Sequence, residues 1–317
     1  MKILINIPAF NEQEKIGGTI KSIKKSMEGK NIFIQVVDDG SKDDTVKVSK
    51  DNGADLVITH EYNKGVGGAF KTAVSNFLKK DYDIMVNIDA DGQFDSDDII
   101  NLVKPIKEHK ADIVIGSRFS GKDANGIPFI KDKLNRLIAG IVGALMGKKI
   151  DDLTCGYRAY SRESLLRLNL IETFTYTQET IIDAFGKRLR VKWVPIHVKY
   201  FEDRKSRVVK SIYSYMVKSI LIIVRTVRDV KPLVFFGLPG VLLIFFSIIL
   251  FFIFLFYYLQ TFQTTPYRTL LIVSASSLFL GLLLFIFALI ADMIKRHRKI
   301  SEENLYLLRK IIYKDKK

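Results

Sequence analysis

Two kinds of hydrophobic pattern alternate along the first part of this 317-residue chain. Short apolar runs rich in isoleucine and valine are separated by longer stretches whose apolar residues recur at helical spacing, as in residues 12–27 and 68–79. Strands that alternate with helices form a mainly parallel sheet with helices on both faces, so the pattern predicts an α/β fold. The predicted strands cover residues 2–7, 32–37, 55–59, 83–88 and 112–115.

The pattern after residue 130 is less regular. It predicts a helix at residues 133–146 and short strands at residues 157–160, 190–194 and 198–201. Residues 208–228 then repeat apolar side chains at helical spacing, with basic and polar side chains on the opposite face. Such an amphipathic helix suits the membrane interface, although a helix packed on its own domain shows the same pattern.

Two long apolar segments follow. Residues 233–259 and residues 270–291 contain no charged side chain, and an apolar helix needs roughly 20 residues to cross a bilayer. We therefore predict two transmembrane helices joined by a short external loop at residues 260–268. The chain would then comprise a catalytic domain (1–203), an interfacial region (204–232), the two spans (233–291) and a basic cytoplasmic tail (292–317).

The net charge of +15 is concentrated beside the two predicted spans. Residues 203–231 and residues 295–317 each carry a net charge of +6. Basic residues flank membrane spans on the cytoplasmic side and attract anionic headgroups, so this charge requires no nucleic-acid partner. The first residues lack the pattern of a signal peptide, and the single cysteine, Cys155, fits a reducing compartment. We expect a multi-pass cell-membrane protein whose catalytic domain and both termini are cytoplasmic.

Polar clusters follow three of the predicted strands, at the edge where ligands of parallel sheets bind. Asn11 and Glu12 follow the first strand, and Asp38 and Asp39 end the second. Asp89, Asp91 and Gln93 follow the fourth. Carboxylate and carbonyl oxygens select hard cations, so this third cluster predicts a site for Mg²⁺ or Mn²⁺ that substrate phosphates complete.

Glycines and basic residues near the same edge suggest phosphate binding. Residues 63–69 are rich in glycine ahead of a helix, but they match neither the phosphate loop of nucleoside triphosphatases nor the dinucleotide fingerprint. This disfavours kinases, ATPases and dehydrogenases. Arg118 follows the fifth strand, where its guanidinium can hold a diphosphate. Arg204 and Lys205 precede the amphipathic helix, where a membrane-embedded phosphate would lie.

Taken together, these motifs resemble the family 2 inverting glycosyltransferases, within the group of dolichyl-phosphate mannose synthases and polyprenyl-phosphate glucosyltransferases. The resemblance covers roughly residues 1–230, and the order of the motifs is more specific than any one of them. The resembling residues are Pro8-Ala9-Phe10-Asn11-Glu12, Val37-Asp38-Asp39-Gly40-Ser41, Asn63-Lys64-Gly65-Val66-Gly67-Gly68-Ala69, Asp89-Ala90-Asp91-Gly92-Gln93, Gly116-Ser117-Arg118 and Cys155-Gly156-Tyr157-Arg158-Ala159-Tyr160.

The resemblance implies a GT-A (Rossmann-like) fold and a set of site residues. Asp39 would meet the base of the donor, Asp89, Asp91 and Gln93 the metal, and Arg118 a phosphate. We expect Asp91, Arg118, Arg204 and Lys205 to be catalytic and Arg136, Arg204 and Lys205 to hold the acceptor phosphate. The residues expected to bind the nucleotide sugar are Pro8, Asn11, Glu12, Asp38, Asp39, Gly65, Asp89, Ala90 and Arg118.

The predicted reaction is metal-dependent, inverting transfer of a hexose from a nucleotide sugar to dolichyl or polyprenyl phosphate. The likeness to mannose synthases favours GDP-mannose as the donor, with UDP-glucose next. A phosphate monoester is already largely dianionic at neutral pH, so such a nucleophile needs no strong general base. The Gln-x-x-Arg-Trp motif of processive, hydroxyl-directed relatives is absent.

Three alternatives remain open at this point. A transferase that glycosylates a hydroxyl of a lipid or glycan would use a carboxylate base, and Glu179 is the candidate, although it also reads as a helix-surface acid. A non-catalytic membrane scaffold with a degenerate transferase domain is disfavoured by the intact cluster at residues 89–93. A nucleotidyltransferase would need no spans. Association into a homo-oligomer is compatible with the sequence.

Overall fold

The computed structural model describes residues 1–119, 129–170, 176–199, 220–221, 224–225, 227–265 and 267–314. The chain divides into two compact units. The first comprises Met1–Ile223 together with Glu302–Lys317, and the second comprises Val224–Ser301.

A seven-stranded sheet forms the centre of the first unit, in the order β3-β2-β1-β4-β6-β5-β7. Neighbouring strands are parallel except at β6, which runs antiparallel to both β4 and β5. Almost every residue of β1, β4 and β5 is buried, because helices cover both faces of the sheet. The strands are β1 (Ile3–Ala9), β2 (Ile32–Asp38), β3 (Leu56–Thr59), β4 (Ile84–Asn87), β5 (Ile113–Ser117), β6 (Arg158–Ser161) and β7 (Val191–Pro195).

Seven helices accompany this sheet among the described residues. Helix α1 buries Ile16, Ile20 and Ile23, spaced three or four residues apart, which is the spacing that predicted it. The helices are α1 (Ile16–Ser26), α2 (Thr45–Asp51), α3 (Val66–Lys79), α4 (Asp98–Lys107), α5 (Phe129–Met146), α6 (Arg162–Arg167) and α7 (Thr177–Gly186).

The mainly parallel α/β sheet is confirmed, with three differences in detail. The first helix begins at Ile16 rather than at residue 12, because residues 12–15 form a turn after β1. Val198 makes only an isolated bridge with Phe94, so the strand predicted at residues 198–201 does not form over its described part. The antiparallel direction of β6 was not predicted. Most of the amphipathic segment at residues 208–228 lies outside the described residues.

The second unit contains two helices long and apolar enough to cross a membrane, at Leu233–Thr261 and Arg268–Tyr313. Leu233–Gly237 is a π-helical turn that continues into α8 (Leu238–Thr261), and α9 covers Arg268–Lys314. Only 17% and 11% of their most apolar windows are buried, unlike core helices of a soluble domain. At 1.5 Å per residue α9 is about 70 Å long, more than twice the thickness of a hydrocarbon core.

Small residues let α8 and α9 approach closely. Gly240 and Gly281 face each other, and the hydroxyls of Ser247 and Ser274 each donate to the other residue's carbonyl, at 2.8 and 3.0 Å. Both serines are buried. Small residues and interhelical hydroxyl bonds are the usual means of holding membrane helices together.

Replacing Gly281 with alanine is expected to loosen this helix pair. The added Cβ would lie 2.8 Å from Ile244 Cγ1 and 2.9 Å from the Gly240 carbonyl oxygen, so the helices must separate. We expect a loss of about 1–3 kcal/mol in the free energy of unfolding, measured by thermal unfolding in detergent. Gly237→Ala is the matched control, because its Cβ would make an ordinary contact of 3.5 Å with Ala288. Equal unfolding temperatures for the two variants would contradict the close packing.

The last turns of α9, residues 302–314, belong to the first unit and pack against α6. The Tyr306 hydroxyl donates to Glu163 Oε1 at 2.9 Å, and the Arg167 guanidinium lies 4.1 Å from the Tyr306 ring centroid. Arg309 Nη1 donates to the carbonyls of Leu166 and Leu168 at 3.0 and 2.9 Å, which caps the end of α6. These C-terminal turns therefore complete the surface of the first unit.

Candidate active site

The loops that follow β1 and β2 are hydrogen-bonded to each other at the carboxyl edge of the sheet. The Asn11 N–H donates to Ser41 Oγ, the Lys42 N–H donates to Asn11 Oδ1, and the Glu12 N–H donates to Thr45 Oγ1, each at 2.8 Å. Asn11 has a φ of 53°, in the left-handed region that asparagine tolerates better than most residues. Asn11 and Glu12 therefore shape the edge through their backbone N–H groups and the Asn11 side chain, and Pro8 lies half-buried in β1 beside them.

Asp38, the last residue of β2, is fully buried. Its Oδ2 accepts the Ser41 N–H at 3.2 Å, whereas its Oδ1 has no hydrogen-bond partner among the described residues. Buried carboxylate oxygens are usually paired, so this oxygen is an unsatisfied acceptor behind the edge.

Asp39 binds the glycine-rich segment to the end of β2. Its Oδ1 accepts the Lys64 N–H at 2.9 Å, and its Oδ2 accepts the Gly65 N–H at 2.8 Å. Gly65 precedes α3 with a φ of 81°, a conformation that favours glycine. Gly40 is equally constrained, since an added Cβ would lie 3.0 Å from the Tyr62 carbonyl carbon. The motifs at residues 38–41 and 63–69 are thus joined by these hydrogen bonds into one loop cluster.

His60, one residue beyond β3, is buried against Asp39. Its Nδ1 is 2.6 Å from Asp39 Oδ1, and its Nε2 is 2.8 Å from Thr72 Oγ1 on α3. A carboxylate oxygen accepts hydrogen bonds, so Nδ1–H donates to Asp39, and the Thr72 hydroxyl lies within hydrogen-bond distance of Nε2. No motif in the sequence indicated a role for this histidine. The available signal was the position of His60 in the chain. Thr59 pairs with Asp38 in the sheet, so the residues that follow them, His60 and Asp39, are neighbours at the strand ends.

Asp89 and Asp91 follow β4, as predicted for a metal site. Asp91 Oδ1 accepts the Gln93 N–H at 2.9 Å, and the buried Ala90 carbonyl accepts from Thr19 Oγ1 at 3.0 Å, so the turn is held from two sides. Gly156 lies against Asp89, since an added Cβ would be 3.2 Å from Asp89 Oδ1. Among the described residues no three His, Cys, Asp or Glu side chains converge. Two carboxylates fit a magnesium-type ion whose remaining ligands are substrate oxygens and water.

Arg118, just beyond β5, is held by a buried carboxylate. Its Nε and Nη2 donate to the two oxygens of Asp152 at 2.7 and 2.9 Å, and Nη2 also donates to Thr154 Oγ1 at 2.6 Å. The paired geometry fixes the plane of the guanidinium. Arg136 is exposed on α5, with its guanidinium 5.5 Å from the Phe119 ring centroid. Arg204 and Lys205 lie outside the described residues.

A chain of four side-chain amides, three of them buried, crosses the sheet behind Asp89 and Asp91. Asn76 donates to Gln35 and Gln35 Nε2 donates to Asn6 Oδ1; Asn6 Nδ2 then donates to Asn87 Oδ1, and Asn87 Nδ2 to the Tyr176 hydroxyl. The hydroxyl of Tyr176 donates to the Gly156 carbonyl at 3.2 Å. This network positions Gly156, which contacts Asp89. Nothing in the sequence pattern singled out these amides, because Asn6, Gln35 and Asn87 each read as an isolated polar residue in an apolar run.

Arg158 is fully buried and joins the loop before β6 to α7. Its Nε donates to the Cys155 carbonyl at 2.6 Å, Nη2 to the Leu153 carbonyl at 3.2 Å, and Nη1 to the Thr177 carbonyl at 2.8 Å and Thr180 Oγ1 at 2.6 Å. Burial raises the pKa of the neighbouring Cys155 thiol to about 12, so this cysteine remains protonated and is not a nucleophile.

Glu179 lies in the first turn of α7 with only 5% of its surface exposed. The interpretation of Glu179 as a helix-surface acid is therefore wrong. Gln178 and Asp183 on the same helix are buried as well. Asp183 accepts from Lys187 Nζ at 2.7 Å, and burial raises the pKa of its carboxyl group.

Three comparisons with known proteins agree with this architecture. A family model described as Glycosyl transferase family 2 matches residues 5–168. The UDP-N-acetylglucosamine–dolichyl-phosphate N-acetylglucosaminyltransferase of Methanococcus voltae is 33% identical over 65% of this chain and 88% of its own. The undecaprenyl-phosphate mannosyltransferase of Micrococcus luteus is 28% identical over 64% of this chain and 84% of its own.

A solved structure supports the fold. The glucosyl-3-phosphoglycerate synthase of Mycobacterium tuberculosis, crystallised with Mn²⁺, UDP and glucosyl-3-phosphoglycerate, superposes with a TM-score of 0.57. The superposition covers 72% of this chain and 79% of the synthase at 23% identity. At this level of identity the likeness concerns the arrangement of sheet and helices, which is the GT-A fold.

Proposed function

Because the chain belongs to glycosyl transferase family 2, we propose that the carboxyl edge of its sheet transfers a hexose from a nucleotide sugar to a lipid-linked phosphate with inversion at the anomeric carbon. The protein is a glycosyltransferase of the group that uses polyprenyl or dolichyl phosphate acceptors. For this protein the acceptor, the donor, the metal dependence and the stereochemistry are proposals.

The observation that carries the proposal is the placement of two carboxylate pairs along one edge. Asp38 ends β2 and Asp39 follows it, Asp89 and Asp91 follow β4, and β1 lies between those strands. Adjacent strands are about 4.8 Å apart, so the two pairs are separated by roughly 10 Å. A nucleoside diphosphate can bridge that separation, with its base at Asp39 and its diphosphate at Asp91.

The metal would be held by Asp89 and Asp91, with Gln93 as a further oxygen ligand. When bound, Mg²⁺ or Mn²⁺ neutralises charge on the diphosphate leaving group. The turn at Gln93 fixes one oxygen of Asp91 in a backbone hydrogen bond, which restricts the orientation of the carboxylate. Asp152 likewise fixes Arg118, whose guanidinium would meet a phosphate in a set orientation.

A phosphate acceptor requires few catalytic groups from the protein. Its second pKa is about 6, so it reaches the site as a dianion and needs orientation and charge compensation rather than deprotonation. We assign that compensation to Arg118, Arg136, Arg204 and Lys205. A hydroxyl acceptor would instead require a base, and the buried Glu179 is the one observation that favours this second candidate function.

The two-unit organisation supports a location at the membrane. Residues 1–223 and 302–314 form one compact unit, so the chain must leave that unit and return to it. Two apolar helices lie between these segments. If the helices span a bilayer, an even number of crossings returns the chain to its starting side. The basic residues at both ends of the hairpin favour the cytoplasmic side.

Membranes containing the protein are expected to transfer sugar from a radiolabelled nucleotide sugar to polyprenyl phosphate when Mg²⁺ or Mn²⁺ is present. The product should enter the organic phase and release the sugar in mild acid, because a sugar phosphodiester is acid-labile. The measurement is organic-phase radioactivity across a panel of UDP- and GDP-sugars, with and without chelator. An acid-stable labelled lipid would favour the hydroxyl acceptor. Absence of transfer from every donor, although the donors bind, would refute the phosphate acceptor.

A further inference from the structure

We propose that His60 sets the base preference of the donor site, so that Asp39 accepts a uracil nucleotide in preference to a guanine nucleotide. The inference rests on the proposed function, in which Asp39 meets the base of the donor. Its basis is the number of hydrogen bonds that the Asp39 carboxylate can still accept.

Three of the four acceptor positions of Asp39 are already occupied within the protein. A carboxylate offers about four lone-pair positions, two on each oxygen. His60 Nδ1–H and the Lys64 N–H occupy both positions of Oδ1 at 2.6 and 2.9 Å, and the Gly65 N–H occupies one position of Oδ2 at 2.8 Å. One position on Oδ2 is left for a ligand.

Uracil and guanine present different numbers of hydrogen-bond donors to a carboxylate. Uracil presents a single N–H between two carbonyls, which one acceptor position satisfies. Guanine presents a ring N–H and an adjacent amino group, which a carboxylate matches only when both oxygens can accept. With Oδ1 filled, one guanine donor would be desolvated without a partner, and such a loss weakens binding strongly. GDP-mannose, the donor favoured by the resemblance, is therefore the poorer match.

His60 cannot easily turn away to make room for guanine. Its ring is buried, with 4% of the side chain exposed, and the Thr72 hydroxyl holds Nε2 from the other side at 2.8 Å. Asp38 offers no substitute acceptor, because it is completely buried, whereas the Asp39 side chain retains 6% exposure. The fixed His60 N–H thus makes the Asp39 carboxylate a single acceptor at the surface.

The test is nucleotide binding to the full-length protein in detergent with Mg²⁺, measured by isothermal titration calorimetry. UDP is expected to bind about tenfold or more tightly than GDP, the effect of one unpaired hydrogen-bond donor. CDP should also bind more weakly than UDP, since its ring nitrogen accepts where that of uracil donates. GDP binding equal to or tighter than UDP, or binding of neither nucleotide, would overturn the proposal.

Two variants of His60 separate its hydrogen bond from its bulk. His60→Phe keeps a ring but frees a position on Asp39 Oδ1, so the preference for UDP over GDP should shrink to within about threefold. His60→Asn keeps an N–H near the position of Nδ1, so the preference should be retained. An unchanged preference in His60→Phe would overturn the proposal. If His60→Phe does not fold, the wild-type ratio of the two affinities decides.

Failure of this inference can be told apart from failure of the proposed function. Transfer from a GDP-sugar to polyprenyl phosphate, with UDP binding no tighter than GDP, would retain the function and reject the role of His60. A clear UDP preference without transfer to polyprenyl phosphate from any donor would retain the role of His60 and reject the lipid-phosphate acceptor.

Discussion

The Asp91→Asn variant is expected to lose about three orders of magnitude in transferase activity while remaining folded. Asparagine is isosteric with aspartate, and its carbonyl oxygen can still accept the Gln93 N–H that organises the turn. The substitution therefore removes one negative charge and little else. A divalent ion held by two carboxylates would then keep only Asp89, and the diphosphate would leave without full charge compensation.

The measurement is initial rate against metal concentration, with saturating donor and acceptor. Asp97→Asn is the matched control, because Asp97 is exposed in the same loop and its side chain does not cap α4. We expect the control to retain wild-type activity and the Asp91 variant to require much more Mn²⁺ for its residual rate. Full activity of Asp91→Asn at ordinary metal concentrations would refute the metal site.

Arg158→Met is expected to destabilise the first unit by about 3–5 kcal/mol, the largest stability effect that we predict. The guanidinium is fully buried and donates to three backbone carbonyls and one hydroxyl, which methionine cannot replace. Each buried carbonyl that loses its donor costs about 1–3 kcal/mol, partly relieved by removing a buried charge. The loop before β6 and the start of α7 would lose their shared anchor.

Chemical denaturation of the purified protein in detergent measures this loss. Lys192→Met removes a positive charge from an exposed position on β7 and should leave stability nearly unchanged. Arg158→Lys tests the geometry, since a single ammonium group cannot span the acceptors that the planar guanidinium reaches. Stability of Arg158→Met equal to that of Lys192→Met would show that these bonds contribute little.

The sequence predicted the elements that have a strong periodic signal and the edge where they end. Asp38, Asp39, Asp89 and Asp91 were found because each follows an apolar run in a parallel sheet. The insertion of β6 between β4 and β5 was not predictable from its four residues, since nothing in a short strand encodes its direction.

Partners brought together from distant parts of the chain were also beyond sequence reasoning. His60 and Asp39 are 21 residues apart, and Arg118 and Asp152 are 34 apart. Each pair is created by tertiary packing rather than by local spacing. The burial of Glu179, which excludes one of its two interpretations, was not predictable for the same reason, because burial of α7 depends on elements elsewhere in the fold. Which charges are buried therefore became visible only in the folded structure.

The C-terminal turns of α9 have a consequence for how this enzyme is made. The ribosome synthesises residues 302–314 after both apolar segments, yet these residues cap α6 in the first unit. The N-terminal domain therefore stays incomplete until both apolar segments have been synthesised. The two apolar segments can therefore insert into a membrane before the domain is completely assembled. A fragment that stops before α8 would lack residues 302–314, which form part of the surface of the domain.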